Sequence, residues 1–272
     1  MKKFVKKAGA AALQLLYPMA TYCICCGNLI DQSRSYCLCD HCIRRIEWGW
    51  LTVDLAAQAE ENGRANHLDS AVACISYGLY GRRLIFDLKY NKHTYTARII
   101  ADILADRLLS DPDAAYLLDA DLLVPVPLHA KRLAQRGFNQ TAKIGRHLET
   151  RLRESAEALR DAERRQDAVP RLLDGALLRS RETTPQRALS AEERYANLDG
   201  AFSIRPAMQP QIAGARILLL DDAYTTGVTA DQCAKVLKEA GAAEVHLAAL
   251  ATGNHFASGH FSSANRGEFF GH

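Results

Sequence analysis

The most informative segment of the chain reads Ile217-Leu218-Leu219-Leu220-Asp221-Asp222-Ala223-Tyr224-Thr225-Thr226-Gly227-Val228-Thr229. Its four apolar residues predict a buried strand, two carboxylates follow at the carboxyl end of that strand, and a hydroxyl-rich turn then opens a helix. Threonine hydroxyls, the close backbone approach that Gly227 permits and the N–H groups at the start of the helix together favour a phosphate dianion. Paired aspartates at a strand end can instead bind Mg²⁺ or cap the following turn. The whole combination is far more specific than the aspartate pair alone, and it predicts a site for a phosphorylated sugar.

Strands and helices alternate along the chain on both sides of this segment. Short apolar runs predict strands at Ser70–Tyr77, Asp121–Val126, Arg216–Leu220 and Val245–Ala251. Longer periodic segments predict helices at Leu84–Tyr90, Tyr95–Leu109, Asn139–Arg165 and Ala230–Ala240. This alternation predicts an α/β fold, a mostly parallel sheet flanked by crossover helices. Ligands of such sheets bind beyond the carboxyl ends of the strands.

Composition sets limits on the class of protein. The chain has 272 residues, 48% of them apolar and 24% charged, with a net charge of +3, so it is neither disordered nor a strongly basic polyelectrolyte binder. No apolar stretch approaches the roughly 18 to 20 residues that span a bilayer, and we expect no stable membrane insertion. We predict an amino-terminal helix and metal module over residues 1–50, a main domain over 68–252 and a flexible tail over 253–272. Met1–Leu16 favours an amphipathic helix that ends before Pro18, with a signal peptide as the alternative.

The cysteines point to a metal site. Six of the eight lie between Cys23 and Cys42, and they form two C-x-x-C pairs separated by twelve residues. Four thiolates satisfy tetrahedral zinc, so we predict a structural zinc ion on Cys23, Cys26, Cys39 and Cys42. Three neighbours are alternative ligands, namely Cys25, Cys37 and His41. An iron–sulfur cluster, a redox pair or disulfides would be other uses of the same cysteines.

The segment from Ile217 to Thr229 resembles the signature by which type I phosphoribosyltransferases bind phosphoribosyl pyrophosphate (PRPP). The resemblance implies that Asp221 and Asp222 contact the ribose hydroxyls of PRPP and that Mg²⁺ accompanies the pyrophosphate. It also implies that the 5′-phosphate is held by Ala223, Tyr224, Thr225, Thr226, Gly227, Val228 and Thr229.

Further motifs narrow the resemblance to the ComF/GntX family, which combines a zinc-finger head with a phosphoribosyltransferase-like body. They are Leu123-Val-Pro-Val-Pro-Leu-His129, Arg132, Arg136-Gly-Phe-Asn-Gln140, Arg179, Thr183, Gln186, Arg194 and Asn197, together with the Leu-Lys89-Tyr90 sequence that ends the segment Leu84–Tyr90. The similarity covers nearly everything from Pro18 to Ala251. Members of this family are linked to natural DNA uptake or to gluconate utilisation.

A basic stretch lies beside the predicted site. Leu122–Leu148 contains no Asp or Glu but contains Lys131, Arg132, Arg136, Lys143 and Arg146. We predict that Arg132 and Arg136, together with Lys89, lie on the pyrophosphate side of the site. The alternatives are a solvated basic face or a nucleic-acid footprint, in which exposed Phe138, Tyr90 or Tyr95 would stack on bases.

Two functions follow as expectations. The first is a ComF-like protein of DNA uptake that binds PRPP with Mg²⁺ and transfers the phosphoribosyl group to an acceptor that the sequence does not identify. Since such a transfer needs positioning and no protein nucleophile, no catalytic residue is assigned. The second is a non-catalytic, zinc-containing accessory of the uptake helicase that binds a nucleotide or single-stranded DNA, with a GntX-like role in gluconate utilisation as a further alternative. Reduced thiolates and PRPP favour a cytoplasmic location, with peripheral association at the inner face of the membrane as an option.

Overall fold

The computed structural model describes residues 22–31, 34–90, 95–160, 169–181 and 191–253. The predicted amino-terminal helix or signal peptide and the predicted tail beyond Gly253 lie outside the described residues. Within the described residues no helix combines the length and the apolar character needed to cross a membrane.

The strands form one large sheet and one small one. In chain order they are β1 (Trp48–Thr52), β2 (Ser70–Ser76), β3 (Leu122–Pro125), β4 (Arg171–Leu172), β5 (Leu177–Arg179), β6 (Phe202–Ile204), β7 (Arg216–Tyr224) and β8 (Glu244–Thr252). The six-stranded sheet has the order β1-β2-β8-β7-β3-β4, and β5 pairs with β6. In the described part of the six-stranded sheet, strands β2, β8, β7, β3 and β4 run parallel and β1 alone is antiparallel to its neighbour. The pair β5 and β6 is antiparallel. The predicted mostly parallel α/β fold is confirmed.

Helices connect the strands. They are α1 (Asp40–Arg45), α2 (Leu55–Asn62), α3 (Leu79–Tyr90), α4 (Tyr95–Ser110), α5 (Ala115–Leu118), α6 (Ala130–Arg136), α7 (Gln140–Arg160), α8 (Ala191–Leu198), α9 (Gln209–Ile212) and α10 (Val228–Glu239). Single 3₁₀ turns lie at Ser35–Cys37, Pro112–Ala114 and Pro206–Met208. Helix α7 begins one residue later than predicted, and the last predicted residues of that helix lie outside the described ranges.

The central strand β7 is buried on both faces, which explains its uninterrupted apolar run. Because side chains alternate along a strand, Leu218 and Leu220 enter one core cluster while Ile217 and Leu219 enter the other. The first cluster contains the apolar faces of α3, α4 and α7, and the second contains that of α10. The acidic pair thus follows directly after the buried apolar residues of a central strand of the sheet.

The predicted end of this strand at Leu220 is wrong. Strand β7 continues to Tyr224, because β8 pairs with it in parallel as far as Thr252. Aspartate has a low preference for strands, but the pairing with β8 overrides that preference here. The two carboxylates therefore stand on a paired strand and not on a free turn.

The residues that carry the cysteine motifs, 22–47, are named the cysteine head here. Its apolar residues Leu38 and Ile46 belong to the same buried cluster as Leu84 and Leu104 of the main domain. Tyr36 of the head donates a hydrogen bond of 2.8 Å to Asp106 of α4. The head therefore shares a core with the body, and the domain boundaries given above stay a prediction.

Candidate ligand-binding and metal sites

Asp222 lies at the centre of a buried polar network. The side chain of Asp222 is 4% exposed, and its Oδ1 accepts a hydrogen bond of 2.6 Å from Lys89 Nζ on α3. Its Oδ2 accepts a hydrogen bond of 2.8 Å from Gln140 Nε2 at the start of α7. Both carboxylate oxygens thus already have protein donors, as a buried carboxylate requires.

Asp221 has a different environment from its neighbour. It is half-buried, and its Oδ1 accepts the backbone N–H of Asp222 at 2.7 Å. Burial, together with the nearby charge of Asp222, raises the pKa of Asp221 to about 7, although Lys89 opposes the shift. The Asp221 carboxyl group therefore changes its charge near neutral pH.

Lys89 remains the cation of this network. Burial alone would lower the pKa of the Lys89 ammonium, but Asp222 and, less strongly, Asp221 outweigh that effect and the pKa is raised. The Lys89 side chain is still 24% exposed, so part of it reaches the surface while Nζ contacts the buried carboxylate.

The predicted phosphate loop, residues 223–229, leads from β7 into α10. Thr225 is exposed and Thr226 is half-buried, while the side chains of Tyr224 and Val228 are buried in the core. Those two residues could contact a ligand only through their backbone. Gly227 is the N-cap of α10 with a φ of 74°, a left-handed conformation that favours glycine.

Helix α2 supports this loop from behind, through residues that the sequence analysis missed. Gln58 is 2% exposed, donates to the Thr226 carbonyl oxygen at 3.1 Å and accepts a short hydrogen bond from the Tyr224 hydroxyl. Its Oε1 also accepts from Asn66 Nδ2 at 3.2 Å. No sequence signal marks Gln58, because a glutamine in a polar helix is ordinary and its two partners in the loop, Tyr224 and Thr226, lie more than 160 residues away.

The first turn of α10 is fixed by a second set of contacts. Asp231 is 1% exposed and accepts hydrogen bonds from the backbone N–H of His67 at 2.6 Å and from the Tyr195 hydroxyl at 3.2 Å. These contacts hold the helix N-terminus, and with it the phosphate loop, against α8 and the segment before β2.

The structure brings two of the three predicted pyrophosphate-side cations to the acidic pair. Lys89 contacts Asp222 directly, and Arg136 donates to Gln140 Oε1, which links it to the same carboxylate. The Arg136 guanidinium also lies 5.8 Å from the centre of the Tyr90 ring.

Arg132 lies on the exposed surface of α6, close enough to two other arginines to influence their ionisation. Burial lowers the pKa of both Arg136 and Arg179, and the positive charge of Arg132 adds to that effect. Arg179 on β5 was part of the family resemblance only, and the structure places it within electrostatic range of Asp221. An anion near these arginines would relieve their mutual repulsion.

A cavity of about 490 Å³ opens next to this network. Helix α3 forms one wall and the cysteine head another, and the lining includes Ile24, Cys25, Tyr77, Phe86, Lys89 and Tyr90. The cavity therefore connects the cysteine head to the lysine that holds Asp222.

The four predicted ligand cysteines converge in the cysteine head. The sulfurs of Cys23, Cys26, Cys39 and Cys42 all lie within 4.8 Å of one another, and those of Cys26 and Cys39 are 3.6 Å apart. Sulfurs about 3.8 Å apart surround a tetrahedral zinc with Zn–S bonds of about 2.3 Å, so this cluster could hold a metal ion. Burial opposes ionisation of Cys23, but hydrogen bonds from backbone groups outweigh it and lower its pKa to about 7.

The three alternative ligands have other contacts. Cys25 Sγ lies 3.8 Å from the Tyr80 carbonyl oxygen, and His41 Nε2 lies 3.1 Å from the Tyr80 hydroxyl. Cys37 is outside the cluster, and its carbonyl oxygen accepts from the Ile24 N–H.

Comparison with known proteins agrees with the phosphoribosyltransferase-like fold. A model of the phosphoribosyl transferase domain matches residues 142–259. Competence protein F of Haemophilus influenzae is 28% identical over 226 residues, which are 83% of this chain and 89% of that protein. DNA utilization protein YhgH of Escherichia coli K12 is 30% identical over 164 residues, which are 60% of this chain and 63% of that protein. Among solved structures, the glutamine PRPP amidotransferase of B. subtilis aligns with 60% of this chain and 30% of its own, at 17% identity and a TM-score of 0.34.

The sheet topology and the matched domain define a phosphoribosyltransferase-type α/β protein with a four-cysteine cluster near its amino terminus. Within that class, the relatives named above are consistent with the resemblance of its sequence motifs to the ComF/GntX family.

Proposed function

We propose that this protein binds PRPP together with Mg²⁺ at the carboxyl end of β7. The observation that carries the proposal is that the acidic pair, the glycine-capped N-terminus of α10 and two half-buried cations, Lys89 and Arg136, lie together at this end of the strand, and that Lys89 also lines the cavity. Asp221 and Asp222 would accept the ribose hydroxyls, and the backbone of residues 223–229 would hold the 5′-phosphate. Lys89, Arg132 and Arg136 would face the pyrophosphate, whose charge Mg²⁺ neutralises when bound.

The chemistry that such a site supports is displacement of pyrophosphate from C1 of the ribose by a nucleophilic atom of the acceptor, which bonds to C1 while the C1–oxygen bond to the pyrophosphate breaks. The positive charge that develops on the sugar ring is stabilised by nearby carboxylates, and the leaving pyrophosphate by lysine and arginine. The remaining task of the protein is to orient the two reactants and exclude water, so no nucleophilic side chain is required. The acceptor would enter through the cavity between α3 and the cysteine head.

A calorimetric titration with Mg²⁺-PRPP tests this proposal. Wild-type protein is expected to give saturable binding, and the double variant Asp221→Asn/Asp222→Asn is expected to lose it while keeping its fold by circular dichroism. Asp199→Asn is a matched control, because Asp199 is an exposed carboxylate that pairs with Lys235 on the surface. Equal binding by wild type and the double variant would place the ligand elsewhere.

We further propose that the four-cysteine cluster holds a structural zinc ion. Four sulfur ligands complete a tetrahedral shell, so the ion would stabilise the head and would have no open position for catalysis. Metal analysis of protein purified without chelator should give about one equivalent of zinc, and Cys26→Ser should lower that value. Cys74→Ser is the control, since Cys74 is buried in β2 away from the cluster.

A role in DNA uptake is proposed from the names of the relatives given above. Single-stranded DNA as a ligand and a competence helicase as a partner are proposed from the resemblance of the sequence motifs to the ComF/GntX family. One surface feature favours the DNA ligand. Phe86 and Tyr90 are 56% and 62% exposed, and their ring centres lie 4.6 Å apart on the same face of α3. Arg82 and Arg83 are exposed on the same helix, so aromatic faces for bases stand beside cations for phosphates. We place this activity in the cytoplasm, where the cysteines remain reduced.

Fluorescence anisotropy with a labelled single-stranded oligonucleotide tests the DNA proposal. Phe86→Ala is expected to weaken binding by about tenfold, which corresponds to the loss of one stacked base. Tyr116→Ala removes another exposed aromatic ring, on the short helix α5, and should leave the affinity unchanged. Equal affinities of both variants and the wild type would refute a stacking role for α3.

A further inference from the structure

Lys89 and Gln140 both donate hydrogen bonds to the Asp222 carboxylate. In the proposed function the same carboxylate accepts a hydrogen bond from a ribose hydroxyl. Lys89 Nζ lies 2.6 Å from one oxygen of Asp222, and Gln140 Nε2 lies 2.8 Å from the other. With the Asp222 side chain only 4% exposed, a sugar hydroxyl can reach it only after one of these donors moves.

The two donors differ in their freedom to move. Gln140 is 5% exposed, and its own carbonyl oxygen accepts a hydrogen bond from Arg136, so both ends of its amide are engaged. Lys89 is 24% exposed, ends a flexible four-carbon stem and lines the cavity. Lys89 is therefore the donor that can leave.

Departure of Lys89 separates an ammonium from a carboxylate, which is unfavourable unless the ammonium meets another anion. A ligand that carries a second anionic group near the cavity can supply that anion at the moment when its hydroxyl takes the place of Lys89 on Asp222. A sugar phosphate without a second anionic group cannot form an ion pair with Lys89, because its one phosphate is held by the loop at the start of α10.

We propose that Lys89 determines ligand specificity. Its contact with Asp222 excludes simple ribose phosphates, and only a ribose ligand with a second anionic group, such as a pyrophosphate, can displace it. This inference rests on the proposed function and adds a selection step to it. Lys89 is then a selecting residue on the acidic pair as well as a contact of the pyrophosphate.

The test compares two probes, Mg²⁺-PRPP and ribose 5-phosphate, on wild-type protein and on Lys89→Met. PRPP should bind about tenfold more weakly to K89M, because the pyrophosphate loses a charged partner. Ribose 5-phosphate should bind several-fold more tightly to K89M, because no ion pair between Lys89 and Asp222 has to be broken before its hydroxyl can reach Asp222. Lys235→Met serves as the matched control, since Lys235 pairs with Asp199 on the surface, and it should change neither affinity.

Opposite shifts for the two probes distinguish this role from a structural one. A lysine that merely stabilises the site would weaken both ligands in parallel when it is replaced, and that result would overturn the inference. Unchanged or weaker ribose 5-phosphate binding to K89M would also overturn it, even if PRPP binding falls. If K89M does not fold, Lys89→Gln carries the same comparison, because an amide can still donate to Asp222 without a charge.

Failure of the proposed function has a separate signature. If wild-type protein binds neither probe, the PRPP proposal fails and the selection step fails with it. If wild-type protein binds PRPP but K89M shows parallel changes for both probes, only the selection step fails.

Discussion

Replacing Gly227 with alanine should destabilise the whole protein by a predictable amount. Gly227 has a φ of 74°, a conformation that costs an L-residue about 1 to 2 kcal/mol. An added Cβ would lie 2.7 Å from Gln58 Oε1 and still closer to the Tyr224 hydroxyl. Gln58 would have to shift, and its hydrogen bonds to Tyr224 and Thr226 would be lost at about 1 kcal/mol each. The expected loss in the free energy of unfolding is therefore about 3 to 4 kcal/mol.

Gly214→Ala is a matched control for this variant. Gly214 has a φ of 76°, nearly the same as Gly227, but nothing lies within 4 Å of the place where its Cβ would be. Only the conformational cost of about 1 to 2 kcal/mol should appear there.

Thermal denaturation followed by circular dichroism measures the difference. At about 2 to 4 °C per kcal/mol for a chain of this size, G227A should melt about 6 °C below G214A. Equal melting temperatures for the two variants would show that the contacts of Gln58 do not support the phosphate loop. In that event the close packing of α2 on the loop would contribute nothing to the free energy of unfolding.

Two further outcomes are expected. Because burial raises the pKa of Asp221 to about 7, its protonated form stabilises the fold at acidic pH, and that contribution disappears as pH rises from about 4 towards 7. Asp221→Asn should therefore be more stable than wild type at pH 8 and similar to it at pH 5 in urea unfolding, whereas equal differences at both pH values would contradict the raised pKa. Chelation of the proposed zinc ion should lower the melting temperature of the entire chain in one transition, because Leu38 and Ile46 share a core with Leu84 and Leu104. A separate early transition of the cysteine head, or an unchanged melting curve, would contradict that coupling.

Local patterns predicted much of this protein. The apolar run before Asp221 predicted the central strand, since a strand covered by helices on both faces must be apolar at successive positions. The C-x-x-C spacing predicted which four cysteines converge, because each pair forms its own tight turn. The end of β7 was predicted wrongly, because its last four residues are held by pairing with β8 and not by their own preferences.

Sequence alone determined the mostly parallel α/β fold, the strand, turn and helix around the acidic pair and the convergence of the four cysteines, because each depends on residues within a few positions or on a regular period. Only the tertiary structure decided which side chains contact one another in the site. Lys89 and Gln140 meet Asp222 across 133 and 82 residues, and Gln58 meets the phosphate loop across 168. Such contacts depend on the packing of whole helices against the sheet, and neither spacing nor composition carries that information.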